Sequence, residues 1–288
     1  MVPKISIIIG NYNNGHYFID AHRSLVEQTF TEWEAIVIDD ASTDDSVSVI
    51  QQLISGESRF RFYQNPENRG YQRTVIRGIE LAQADIFGRL DPDDVLYPKA
   101  LELSIEEHLK YPEVGLVYTD LTVCDESLSV LYHHESVQIT DLNEKYFLLA
   151  GEVGAFATFK KHFYQKAGGF DPSVKRAEDI DIYMRMCEVA PVKRLPLALY
   201  YYRFHNTSLS KMGNGDRAYF WHWTALIKMS ERRDLNIEDT FIEHVASRAE
   251  LDSFRNRVSS LKNWVDKNYL LSFLTNIAAR FGFDYKKM

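Results

Sequence analysis

The chain has 288 residues, 45% of them hydrophobic, and a formal charge of −8 from 33 basic and 41 acidic side chains. That length and apolar content suit one large α/β domain, or one domain with an appendage. The acidic balance, with no long Lys/Arg run, argues against a nucleic-acid backbone as partner. Cys124 and Cys187 lack metal-ligand spacing, and the apolar run after Met1 is too short for a signal peptide or a transmembrane helix, so a cytoplasmic location is expected.

The first elements alternate strictly. KISIII (4–9) is an uninterrupted β-branched run, typical of a strand buried on both faces in a parallel sheet. GNYNNG (10–15) ends it, and a helix is predicted over 16–28. WEAIVIDD (33–40) is a second strand, with Ser42 or Thr43 as N-cap candidates for a helix over 44–54. A third strand (59–65), a third helix (69–84) and a fourth strand (85–90) follow. Such alternation predicts βαβ units with right-handed crossovers.

The second half is less regular. Strands are predicted over 112–120, 154–161 and 194–205, a hairpin or excursion over 121–138, and a helix over 177–188. From 216 onward the text reads helical, with the aromatics around Trp221 and Trp223 as core and a boundary near 212.

In an open parallel sheet, ligands bind beyond the carboxyl ends of the strands. Here the first strand ends at Asn11 and Tyr12, the second at Asp39 and Asp40, and the fourth at Asp91, Asp93 and Asp94. Three clusters on one sheet edge form a single prospective site. GNYNNG lacks the G-x-G-x-x-G of a dinucleotide fold, and His16 stands where a P-loop needs lysine. Crowded carboxylates are tolerable around a hard divalent cation, Mn²⁺ or Mg²⁺, that takes its remaining ligands from a diphosphate. Pro92 stiffens the turn that presents them.

Six segments then appear in a familiar order: SIIIGNYNN, VIDDASTDDS, NRGYQRTVIRGIELAQADIFGRLDPDD, GAFATFKKHFYQKAGGFD, AEDIDIYMRM and YYYRFHNTSLS. Over about the first 210 residues the chain resembles the family 2 inverting glycosyltransferases. The resemblance implies the GT-A fold, an α/β architecture with a Rossmann-like, mostly parallel sheet flanked by helices. Residues 1–111 would be the nucleotide-sugar-binding half, 112–212 the acceptor and catalytic half, and 213–288 a helical C-terminal extension. It further implies a nucleotide-diphosphate sugar donor, UDP-linked, and a glycan or polyprenyl-linked acceptor in bacterial surface-polysaccharide synthesis.

By the same resemblance Tyr12 stacks on the nucleobase beside Asn11, Asp40 bonds the base, and Asp91 lies by the ribose or the metal. Asp93 ligates the metal, with His205 as a further candidate; Asp94 either joins it or only orients the turn. Val75 and Ile76 replace the Arg and Asn of the family's A-R-N, leaving Arg69, Arg73 or Arg77 to supply the lost contact. Inverting displacement needs one base, assigned to Asp179 with Glu178 beside it. Arg203 is expected near the diphosphate, and Gly168-Gly169 at a tight turn below the acceptor site. The apolar stripe over 270–281 suits either a membrane surface or packing within the chain or a dimer. A sugar nucleotidyltransferase, or a silent nucleotide-sugar-binding protein, is the competing function; the first would want a cationic Gly-rich loop after the first strand.

Overall fold

A computed structural model describes residues 2–140, 152–205 and 215–238, together with Ser253, Asn256, Arg257, Ser259 and Ser260. The chain divides into two compact units, Met1–Met229 and Ser230–Met288, and the sheet and the site belong to the first. The boundary expected near 212 and the stripe over 270–281 lie outside the described residues.

The elements, in chain order, are β1 (Ile5–Asn11), α1 (Phe18–Val26), β2 (Trp33–Asp39), α2 (Ser46–Ile54), β3 (Phe60–Gln64), α3 (Tyr71–Leu81), β4 (Ile86–Arg89), β5 (Val95–Leu96) and α4 (Ala100–Lys110). The second half adds β6 (Leu116–Cys124), β7 (Val130–His134), β8 (Ala157–Lys160), α5 (Lys161–Lys166), α6 (Glu178–Val189), β9 (Val192–Arg203) and α7 (Gly215–Arg232).

One sheet runs in the order β3-β2-β1-β4-β8-β6-β9-β5, with β7 beside β6. From β3 to β4 every pairing is parallel, as the alternation predicts. The pattern breaks at β8, which is antiparallel to both β4 and β6. An antiparallel neighbour needs no crossover helix, so the stretch before β8 is free of the helical periodicity that marks the first half.

Every residue of β1 and β2 is buried. Ile5, Ile7 and Ile9 face a core shared with Phe18, Leu25, Trp33 and Leu101. Each such side chain, fully buried, contributes about 1.5–3 kcal/mol. Ile8 turns the other way, onto α3, where Gly78 lets the helix approach closely. The helix α2 begins later than the caps predicted: the Ser42 hydroxyl donates back to Asp39 Oδ1 at 2.5 Å, and Asp44 Oδ1 accepts from Ser46 N at 3.0 Å. The aromatics of α7 are less buried than expected, with Tyr219 and Phe220 exposed. Among the described residues no helix is long and apolar enough to cross a membrane.

A Cβ at Gly78 would lie 2.4 Å from Ile8 Cγ2, in a strand that cannot yield. Gly78→Val is therefore expected to lower unfolding free energy by about 2–3 kcal/mol. Urea denaturation checks it, as a lower midpoint at unchanged slope.

Candidate active site at the strand ends

At the ends of β1 and β2 the polar side chains are mostly engaged with one another. Asn11, 1% exposed, donates through Nδ2 to Asp39 Oδ1 at 2.9 Å and to Ser42 Oγ at 3.2 Å, while its Oδ1 is buried without a partner. Tyr12 is 47% exposed and offers an open aromatic face. Asp40 is turned inward: Oδ1 accepts from Asn65 Nδ2 at 2.6 Å and Arg69 N at 2.9 Å, and Oδ2 from Gly70 N at 2.8 Å. The carboxylate expected on the nucleobase thus holds the loop that leads into α3. The side chains of Arg69 and Arg73 are exposed, and Arg77 bonds Gln64 O and Asn65 Oδ1.

The acidic turn separates its three carboxylates. Asp94 is 2% exposed and accepts from Tyr200 Oη at 2.7 Å and from Arg203 N at 2.8 Å. Burial first, and then Asp93 and Asp91, push its pKa well above the usual carboxylate range. Asp94 therefore anchors the turn to β9, the orienting place that was one of its two expected roles. Asp91 accepts from the Tyr71 hydroxyl. Burial raises its pKa, Arg89 opposes the rise, and Asp93 and Asp179 add to it. Asp93 is the outermost of the three, its Oδ2 bonded to His205 Nε2 at 2.9 Å.

Arg203 was expected at the diphosphate, but its guanidinium is fully engaged inside. Nε donates to Asp93 O at 2.7 Å, Nη1 to Glu126 O at 2.6 Å, and Nη2 to Asp20 Oδ2 at 2.7 Å, with the Tyr17 ring 4.8 Å away. It clamps the acidic turn to α1 and to the β6–β7 connection. Tyr17 completes this wall: its hydroxyl bonds Glu126 Oε1 at 2.8 Å, and burial with that contact pushes its pKa up to about 12.

The helix α6 begins at Glu178, directly after Ala177, whose φ of 57° is left-handed. A non-glycine residue holds that conformation at about 1–2 kcal/mol, so the helix start is fixed by its surroundings. Glu178 and Asp179 stand in the first turn, where free N–H groups favour anions. Asp179 Oδ1 accepts from Ile180 N at 2.9 Å. Asp181, their neighbour in sequence, is buried and paired with Arg185 Nε at 2.7 Å. Gly168 and Gly169 take φ of 82° and 67°, the tight turn that the sequence predicts. The Asp171 that follows is held by Lys228 of α7 at 2.8 Å and by Arg185 at 3.3 Å.

Several functional candidates escaped the sequence reading. Arg89 lies among Tyr71, Asp91, Tyr183 and Glu178; burial works against its charge, yet those neighbours hold its pKa well above normal. A charged residue in an otherwise apolar strand, two positions before Asp91, was the available signal.

Among the described residues no three His, Cys, Asp or Glu side chains converge to hold a metal. Asp93 and the buried His205 do stand together at the end of the acidic turn, and both are suitable donors for Mn²⁺ or Mg²⁺. Such a pair fits a cation that draws most of its oxygen ligands from substrate phosphate and water.

Burial, with Asp179 next to it, pushes the Glu178 pKa up to about 7. The folded state then binds this proton more tightly than the unfolded chain, whose glutamate titrates near 4.3. The effect is absent below that value, and stability falls as pH rises from there to about 7. Glu178→Gln is expected to remove a loss on the order of 1–3 kcal/mol between pH 4 and 8. Chemical denaturation of both proteins at the two pH values checks the difference.

Comparison with known proteins supplies the family. Residues 6–168 match the family model described as Glycosyl transferase family 2. The chain is 30% identical over 213 residues to chondroitin synthase of Escherichia coli, spanning 73% of this chain and 31% of that protein. It is 28% identical over 221 residues to hyaluronan synthase of Pasteurella multocida, spanning 76% of this chain and 22% of that one. The chain thus spans a third or less of these relatives. Two solved structures share the fold. TarS of S. aureus in complex with UDP-GlcNAc aligns at TM-score 0.66 and 18% identity, over 82% of this chain and 69% of that one. The mannosyltransferase PcManGT of Pyrobaculum calidifontis, with GDP-Man and Mn²⁺, aligns at 0.61 and 15%, over 100% and 83%. With the family model matching more than half of the chain, this protein belongs to glycosyl transferase family 2.

Proposed function

We propose that the chain transfers a hexosyl or N-acetylhexosaminyl group, with inversion, from a UDP-linked donor to a hydroxyl of a glycan or lipid-linked acceptor. The observation that carries this reading is the charge coupling across the sheet end. Asp91, after β4, and Glu178 and Asp179, at the start of α6, each fall within electrostatic range of one another. A nucleotide half and a catalytic half thus face one cleft. Relatives that make chondroitin and hyaluronan, and a neighbour that binds UDP-GlcNAc, support the donor class.

In this reading Tyr12 stacks on the base, with the orphaned Oδ1 of Asn11 beneath it as an acceptor for a base N–H. Asp93 and His205 hold a divalent cation, which when bound supplies positive charge to the departing diphosphate. Asp179 accepts the acceptor hydroxyl's proton as the new C–O bond forms and the bond to the β-phosphate oxygen breaks. No general acid is required, because the leaving group departs as an anion. Glu178, which retains its proton up to about pH 7, limits the negative charge beside the base.

Asp179→Asn is expected to lower transfer by about 10²–10⁴-fold while nucleotide still binds. Nucleoside diphosphate release with acceptor present, set against nucleotide binding by thermal shift, checks it; unchanged turnover removes the assignment. Chelation, or Asp93→Ala, is expected to abolish the thermal shift that UDP-sugars produce with Mn²⁺. A shift that survives both speaks against the metal. A thermal-shift screen of UDP- and GDP-sugars names the donor.

A further inference from the structure

Arg89 sits in the acidic cleft without being bonded to it. Its guanidinium carbon lies 5.3 Å from the centroid of the Tyr71 ring, and its nearest negative charges are Asp91 and Glu178. Among the described residues it donates no hydrogen bond, whereas Arg59, Arg61, Arg77, Arg185, Arg194 and Arg203 are each bonded to protein oxygens. A guanidinium carries five N–H donors in a rigid fork, and leaving them half-buried without acceptors is unfavourable. The fork is therefore set for acceptors that come from outside the chain.

Its position restricts which acceptors those are. Arg89 interacts both with Asp91, of the turn to which the proposed function assigns the diphosphate, and with Glu178, beside the proposed base. Between those points lies the transferred sugar. No cation of α3 competes for this place, because Val75 is buried, Arg77 is bonded to the β3 end, and Arg69 and Arg73 are exposed. Tyr71 backs the arrangement: its ring lies under Arg89 and its hydroxyl fixes Asp91.

We propose that Arg89 reads the transferred sugar, donating to its hydroxyl or acetamido oxygens, and that Asp91 beside it makes the pocket select an uncharged sugar over a uronate. This rests on the donor chemistry of the proposed function. Asp91 already offsets the one guanidinium, so a second carboxylate, carried on the sugar, meets like charge. The guanidinium instead offers directional hydrogen bonds that neutral hydroxyls satisfy.

Calorimetric titration with Mn²⁺ tests this, with UDP, UDP-glucose, UDP-GlcNAc and UDP-glucuronate as probes against wild type, Arg89→Gln and Arg89→Lys. Circular dichroism confirms that both variants fold. Loss of a charge-assisted hydrogen bond predicts that Arg89→Gln binds the preferred neutral UDP-sugar about 10–100-fold more weakly and keeps the affinity for UDP. Arg89→Lys recovers only part of the loss, and wild type binds the uronate at least about tenfold more weakly than the preferred neutral sugar. An equal loss for UDP and UDP-sugar places Arg89 on the phosphate and overturns the proposal, as does undiminished sugar affinity in Arg89→Gln. A uronate bound as tightly as the neutral sugars overturns the selectivity. If wild type binds none of the four, the donor reading itself fails and this proposal with it.

Discussion

Three carboxylates within four residues repel one another, and the molecule keeps them at one turn by giving each a different environment. Asp94 is drawn inward to Tyr200 and the backbone of Arg203, Asp91 sideways to Tyr71 and Arg89, and only Asp93 is left toward the opening with His205. The inward and sideways members see their pKa values rise because burial disfavours their charge. The Asp93 carboxylate and the His205 imidazole are left paired with each other at the end of the turn.

That separation depends on β9. The two residues of β5 pair with Tyr201 and Tyr200, which brings the end of β9 against the acidic turn. Arg203 then fastens the turn's backbone, the Glu126 carbonyl and Asp20 of α1 through separate donors of one guanidinium. This side chain, 4% exposed, uses each of its three nitrogens on a protein oxygen. It thereby fixes the backbone of Asp93, and with it the contact between Asp93 and His205.

The same distinction separates what was legible in the sequence from what was not. β1, β2 and the DPDD turn were readable because strand burial and turn chemistry are local: an all-apolar run, then a polar cluster, then proline. The start of α6 was readable for the same reason, since acids in a first helical turn announce themselves. The bonds by which Asp40 holds Asn65 and the amides of Arg69 and Gly70 were not legible, because they lie in a loop whose path no local pattern specifies. The internal bonds of Arg203 and the place of Arg89 escaped the sequence on similar grounds. Each is an arginine near the acidic turn, and only the tertiary contacts distinguish the one saturated by protein from the one that is not.

Glu178 and Asp179 show how the fold can differentiate two adjacent acids. Adjacent positions on a helix project about 100° apart, so side chains that are neighbours in sequence look into different surroundings. Glu178 meets Arg89 and Asp91 under heavy burial, and the burial prevails, leaving it protonated to about pH 7. Asp179 accepts a backbone N–H from Ile180 at 2.9 Å. A pair with both members ionised beside Asp91 and Asp93 would add charge to a cleft that must admit a diphosphate. Under the proposed function, a pair in which one member keeps its proton leaves a single carboxylate as base, and lowers the repulsion a diphosphate donor meets on entry. The left-handed Ala177 stands directly before this pair, so the turn that starts α6 also sets where the two acids begin their helical course.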